Sequence, residues 1–318
     1  MKIGVVLTTF NRIDYLKKAL KSYSRLSRKP DELIIVNNGS TDGTREFLDF
    51  WKIQNEGFKK TVIHSATNTG GSGGFFQGLS YAKAQELDWV LVSDDDAYPD
   101  EKMLENMESY IIKNDTKNIA AICAAVIYKQ NDTTSPHIIR QKKGLLKIHT
   151  TRVGAEEYNK SFFSIDTITF VGALIKIQAI RDIGLPEKDY FIYHDDSEYA
   201  LRLKKVGSFV CVPRATIFHD CNNSADIRGT WKAYYELRNR IIMYKKHFHP
   251  RYYMWLVFEQ YFKRISLLAI IVKKYNHEER QLYRKAIHDG LNGIKGLDDV
   301  YKPCLLYTSP SPRDYAAS

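Results

Sequence analysis

The opening third of the chain alternates short apolar runs with helix-like segments, and this alternation constrains the fold more than any other feature. Residues 2–7, 32–36, 61–64 and 89–92 read as buried strands bounded by turn residues. Residues 15–26, 44–50 and 75–86 between them read as helices. Such alternation predicts an α/β protein built on a parallel, doubly wound sheet. In sheets of that kind ligands bind at the carboxyl ends of the strands, so chemistry is expected in the loops that follow them.

Those loops are the unusual parts of the sequence. The first strand runs into Thr8-Thr9-Phe10-Asn11-Arg12 and the second into Asn37-Asn38-Gly39-Ser40-Thr41-Asp42-Gly43. The third runs into Asn68-Thr69-Gly70-Gly71-Ser72-Gly73-Gly74, the fourth into Asp94-Asp95-Asp96. Three carboxylates at one strand end repel each other unless a cation sits among them. In an extended segment Asp94 and Asp96 point the same way, so they can converge on one Mg²⁺ or Mn²⁺ and bridge it to a diphosphate. The competing reading is an acidic turn that caps a helix beginning near Pro99.

A second acidic cluster, Asp195-Asp196-Ser197-Glu198, opens a helix expected over residues 195–206. A helix N-terminus stabilises a carboxylate and can hold one ionised as a general base; capping with surface ion pairs explains the same residues. His219 follows an apolar run, where a structural role competes with that of a third metal ligand beside Asp94 and Asp96. The glycines at 70–74 allow close backbone approach to a phosphate at a helix start. They match neither the dinucleotide fingerprint nor a P-loop.

In combination Thr9-Phe10-Asn11-Arg12, residues 37–44, Asp94–Asp96 and Asp195-Asp196 with Glu198 resemble, in order, the motifs of the inverting family 2 glycosyltransferases, which have the GT-A fold. The resemblance covers about residues 1–245, and residues 68–78 with the acid pair are similar to the galactofuranosyl- and rhamnosyltransferase branch. It implies a GT-A sheet flanked by helices, and transfer from a UDP- or dTDP-sugar to a hydroxyl of a cell-surface glycan or lipid-linked acceptor in bacterial polysaccharide or cell-wall synthesis. It places Thr9, Asn11, Arg12, Asn38, Asp42, Asn68, Gly70, Gly71 and Asp95 around the nucleotide. It gives Asp94, Asp96 and His219 to a Mn²⁺ or Mg²⁺ ion, and the base role to Asp196, with Asp195 the alternate. Arg238, in Tyr234-Tyr235-Glu236-Leu237-Arg238-Asn239-Arg240, is expected near the diphosphate or acceptor. Two positions depart from the pattern: His194 stands where relatives often carry Trp, and Asp195 where much of the family has Glu.

The expected organisation is a catalytic domain over residues 1–230, a helical extension over 231–300 and a non-native tail over 304–318. The net charge of +10 suits an anionic partner. No nucleic-acid-binding module accompanies it, so a basic binding protein is disfavoured. A nucleotidyltransferase is also disfavoured, because the first loop lacks the glycine-rich basic signature. The four scattered cysteines (Cys123, Cys211, Cys221, Cys304) read as reduced thiols in a cytoplasmic protein. Residues 250–275 are basic and aromatic; such a helix can lie on a membrane or pack on the catalytic domain. The expectation is a protein without signal peptide or membrane span, peripheral on the inner face of the cell membrane.

Overall fold

A computed structural model of the chain describes residues 1–128, 133–134, 139–221, 226–266 and 275–303. The expected tail over 304–318 and part of the stretch at 250–275 lie outside the described residues. The first half runs β1 (Ile3–Thr9), α1 (Ile13–Arg25), β2 (Glu32–Asn37), α2 (Thr44–Ile53), β3 (Lys59–His64), α3 (Gly70–Ala84) and β4 (Trp89–Asp94). A short β5 (Ala97–Pro99), α4 (Met103–Lys113) and the long β6 (Ile119–Tyr128) follow. Then come β7 (Thr133–Thr134), β8 (Ile139–Lys143), β9 (Ile148–Arg152), β10 (Phe163–Ile165), β11 (Ala173–Lys176) and α5 (Ile177–Ile183). The chain closes with α6 (Asp195–Leu203), β12 (Ser208–His219), α7 (Trp231–His247), α8 (Pro250–Arg264) and α9 (His277–Asn292).

The main sheet has the order β10-β12-β6-β11-β4-β1-β2-β3, with β5 and β7 paired at its margin. β1 lies parallel to both β2 and β4, and β2 parallel to β3. β11 enters antiparallel between β4 and β6. Alternate residues of the buried strands feed two cores. Ile3, Val5, Leu7, Leu33, Ile35 and Leu91 face α1, α2 and α4; Val6, Ile34, Val90 and Val92 face α3, α5 and α6. The strand order reverses at β1, since β2 lies on one side of it and β4 on the other. A crevice at that reversal is where a doubly wound sheet takes its ligand.

Three expectations change. β3 is the sheet edge and only half-buried, so its side chains meet solvent on one flank. α3 begins at Gly70 rather than 75, so the glycines form its first turn. The helix after the acidic triplet begins at Met103, with no side-chain cap from Asp94–Asp96, so the capping explanation of the triplet fails.

The C-terminal helices build a third core from Tyr234, Leu237, Leu256, Tyr283 and Ile287, and Phe191 is part of it. On α8, Tyr252, Leu256 and Gln260 are buried, whereas Met254, Phe258, Tyr261 and Phe262 are exposed. No helix among the described residues is long and apolar enough to cross a membrane. Cys123, Cys211 and Cys221 are free and buried; Cys304 lies outside the described residues.

Candidate active site

At the reversal point Thr8 of β1 is in register with Asp94 of β4. The chain turns through Asp95 and Asp96 into β5, which pairs with the end of β12 and brings His219 alongside Ala97. Ligand atoms of Asp94, Asp96 and His219 thereby lie within 4.8 Å of one another. His219 Nε2 is 3.1 Å from Asp96 Oδ1. Its ring stacks on Tyr128 at 5.9 Å, and its Nδ1 is 3.4 Å from Cys221 Sγ.

Arg12 reaches this cluster from the loop after β1. Its guanidinium pairs with Asp95 Oδ1 at 3.1 Å and Asp96 Oδ2 at 2.7 Å, and Thr9 donates to Asp95 Oδ2 at 2.7 Å. Asp95 is thus buried and engaged by the first loop. Burial alone would push Asp96 up, yet Arg12 and His219 hold its carboxyl well below the ordinary range. Burial, and then the Asp96 charge, push Asp94 up to about 8. Burial opposes the charged form of His219, but the Asp96 carboxylate raises it to about 10. A divalent cation suits two carboxylates and an imidazole gathered this closely. Asp94 and His219 both retain a proton near neutrality, and such an ion would displace both.

The second site is built across the first turn of α3. Gly74 sits against Thr8, where a Cβ would lie 2.5 Å from the threonine methyl. Gly70 has φ +73°, and a Cβ there would lie 2.0 Å from the Phe191 carbonyl oxygen. The Ser72 amide donates to that same carbonyl at 3.1 Å. α3 therefore separates the carboxylates at β4 from the loop that delivers Asp195 and Asp196. Only at Gly71 of that turn would a Cβ meet open space, whereas at Gly70, Gly73 and Gly74 close packing leaves room for glycine alone.

Asp195 is buried, and its carboxyl is pushed up to about 7 by burial and then by repulsion from Asp196. Asp196 is half-buried and also raised, with burial the main cause; its Oδ1 accepts from the Ser197 hydroxyl at 3.1 Å. The same Asp196 oxygen accepts the Ser197 amide of the first turn of α6, while the N-cap position itself, His194, makes no side-chain cap.

Residues 4–184 match the profile of Glycosyl transferase family 2. This chain belongs to that family. The family 2 chain is 27% identical over 222 residues to galactofuranosyltransferase GlfT1 of Mycobacterium tuberculosis, covering 70% of this chain and 71% of the relative. Its fold is that of Staphylococcus aureus TarS 1–349 in complex with UDP-GlcNAc, with TM-score 0.58 and 14% identity over 92% of this chain and 82% of that one. It also matches the Pyrobaculum calidifontis mannosyltransferase PcManGT in complex with GDP-Man and Mn²⁺, with TM-score 0.52 and 15% identity over 92% and 74%. The architecture is GT-A.

Several expected nucleotide residues of this glycosyltransferase are engaged in shaping the crevice wall. Asn38 donates to the Gly70 carbonyl at 2.8 Å and accepts from Thr69 Oγ1 at 2.8 Å, while Asn68 accepts from the Gly70 amide at 2.8 Å. Asn11 Oδ1 accepts from the Thr41 amide at 2.7 Å. Asp42 takes the amides of Ile13 and Thr44, so one carboxylate holds the starts of α1 and α2. The Arg238 expectation is corrected. Its side chain is 1% exposed, and its nitrogens donate to Asn239 Oδ1, the Gly296 carbonyl and the Tyr190 carbonyl. A guanidinium so placed supports the protein interior and does not face a diphosphate. Sequence reasoning missed Ser72, Cys221 and Asn239, because each meets the site through a distant element and no local pattern marks it.

Proposed function

We propose that this chain transfers galactofuranose from UDP-galactofuranose to a hydroxyl of a cell-surface glycan or lipid-linked acceptor, with inversion at the anomeric carbon. dTDP-rhamnose is the competing donor. The observation that carries the reading is the gathering of Asp94, Asp96 and His219 at the strand reversal, one helix turn from a pair of carboxylates with raised pKa. The galactofuranosyltransferase relative supports the choice of sugar.

Asp94, Asp96 and His219 would hold Mn²⁺ or Mg²⁺, which when bound offsets the charge of the diphosphate leaving group. Asp196, half-exposed at the head of α6, would take the proton from the acceptor hydroxyl, and Asp195 behind it is the alternate. The hydroxyl oxygen then attacks the anomeric carbon from the face opposite the departing UDP. Thr9, Arg12 and Asp95 would lie below the diphosphate, and Asn11, Asn38, Asp42, Asn68, Gly70 and Gly71 would frame the nucleotide. The exposed apolar stripe of α8, with Arg251 and Lys263 on the same helix, supports contact with an anionic membrane where a lipid-linked acceptor resides.

Thermal shift with a panel of UDP- and dTDP-sugars, with and without Mn²⁺, tests the reading. Stabilisation by UDP-galactofuranose that requires Mn²⁺ and disappears in Asp94→Ala and His219→Ala is expected. A folded protein that answers to no nucleotide sugar or metal would refute it, and a response to a dTDP-sugar alone would change the donor.

A further inference from the structure

Among the described residues four non-glycine positions have positive φ, and three of them, Phe191 (68°), Tyr193 (64°) and His194 (64°), lie in the run that ends at Asp195. Side chains disfavour that region, so such a run persists only where its surroundings fix it. The carbonyls of the run show what does so. Asn239 Nδ2 donates to Tyr190, Ile192 and Tyr193 at 2.9, 2.7 and 3.0 Å. Phe191 is held from the other side by the Ser72 amide. The His194 carbonyl accepts the Glu198 amide and starts α6.

The orientation of the Asn239 amide is itself fixed. Arg238 Nε donates to its Oδ1 at 2.9 Å, which turns the NH₂ group toward the three carbonyls. Arg238 also donates to Tyr190 at 3.1 Å, and Asn239 is fully buried. We propose that Asn239, oriented by Arg238, is a positioning residue that holds the left-handed run in place and so sets where Asp195 and Asp196 meet the acceptor hydroxyl. The proposal rests on the base assignment made above. Both residues lie on α7, beyond the segment matched to the family profile, so the helical extension contributes to the catalytic step.

The test uses full-length Asn239→Leu, Asn239→Ser, Arg238→Met and Asp196→Asn, with UDP release from UDP-galactofuranose and Mn²⁺ as readout and water as acceptor. Asn239→Leu keeps much of the bulk and removes the donor; kcat is expected to fall about 100-fold with KM for the donor within about threefold, as misplacement of a reacting group predicts. The acidic limb of the pH–rate profile should move to lower pH, because a loosened run lets water reach the acid pair. Asn239→Ser, which keeps one short donor, should lie between. If Asn239→Leu fails to fold, Asn239→Ser and Arg238→Met carry the test. Folded variants with unchanged kcat and pH limb overturn the proposal, as does a loss of rate that merely tracks the folded fraction. An inactive Asp196→Asn beside wild-type-like Asn239 variants removes the positioning role alone. An active Asp196→Asn moves the base to Asp195, and an active double variant Asp195→Asn with Asp196→Asn removes the base assignment, and the positioning proposal with it.

Discussion

At Asp195 a carboxyl meets burial on one side and the charge of Asp196 on the other, and the outcome is a group pushed up to about 7. A raised carboxylate is costly to ionise in the fold, so the sign of its pH effect is definite. Below the ordinary carboxylate range it is neutral in folded and unfolded chains alike; as pH rises toward 7 the unfolded chain ionises first and the fold loses stability. Asp195→Asn should therefore match the wild type near pH 4 and exceed it by about 1–3 kcal/mol at pH 8, read by denaturant melts at both values. A gain that is equal at both pH values would contradict this. Catalysis runs the other way, because the pair must lose a proton to serve as base. Burial raises the Asp196 carboxyl, so transfer should fall as pH drops through that raised range, read from initial rates between pH 4 and pH 8. Asp196→Asn should cost about 10²–10⁴-fold in kcat. The carboxylates were legible in the sequence because acidic clusters at strand and helix ends have few cheap explanations. Arg238 was misread because proximity in sequence to a site says nothing about which way a helix turns its face.

The first turn of α3 decides more of the site than any other element, and its glycines are not equivalent. Gly70 has positive φ and faces the Phe191 carbonyl, a backbone atom that cannot swing away. Gly70→Ala should cost about 2–4 kcal/mol and displace the loop before Asp195. Gly71→Ala, with open space around it, should leave the melting temperature nearly unchanged. Equal effects at the two positions would show that the turn yields rather than transmits the clash. Glycine-rich composition signalled a close approach without saying to what, and the partner proved to be protein more often than open crevice. The strand assignments fared better, since a strand buried on both faces shows as a short continuous apolar run. The exposure of β3 did not show, because an edge is defined by the absence of a neighbour, and no residue within the strand records that.

Across the whole molecule the boundary near residue 230 separates regions of sequence but not of packing. Phe191, from the loop that carries the acid pair, belongs to the core of the C-terminal helices. Glu198 of α6 is gripped by Lys246 and His247 of α7, at 2.9 and 2.8 Å, and by Arg202 of its own helix at 2.9 Å. Burial would raise Glu198, yet these partners hold it down to about 2, so the charges stay paired throughout the neutral range. Removing one side of a buried, hydrogen-bonded pair costs several times what an exposed pair contributes, roughly 3–5 kcal/mol. A chain ending at residue 230 would lose Lys246, His247, Arg238 and Asn239 together, and would expose Phe191. That truncation should still show the far-ultraviolet circular dichroism of an α/β sheet, because the two cores on the sheet faces draw on residues before it. It should nevertheless bind Mn²⁺ and nucleotide without turning over, because Asp94, Asp96 and His219 remain while the run before Asp195 is released. Nucleotide-dependent thermal shift and UDP release, measured on the same preparation, separate the two properties. Full turnover by the truncated chain would show that the helical extension is dispensable to the base, and loss of both binding and fold would show that the two regions form one cooperative unit.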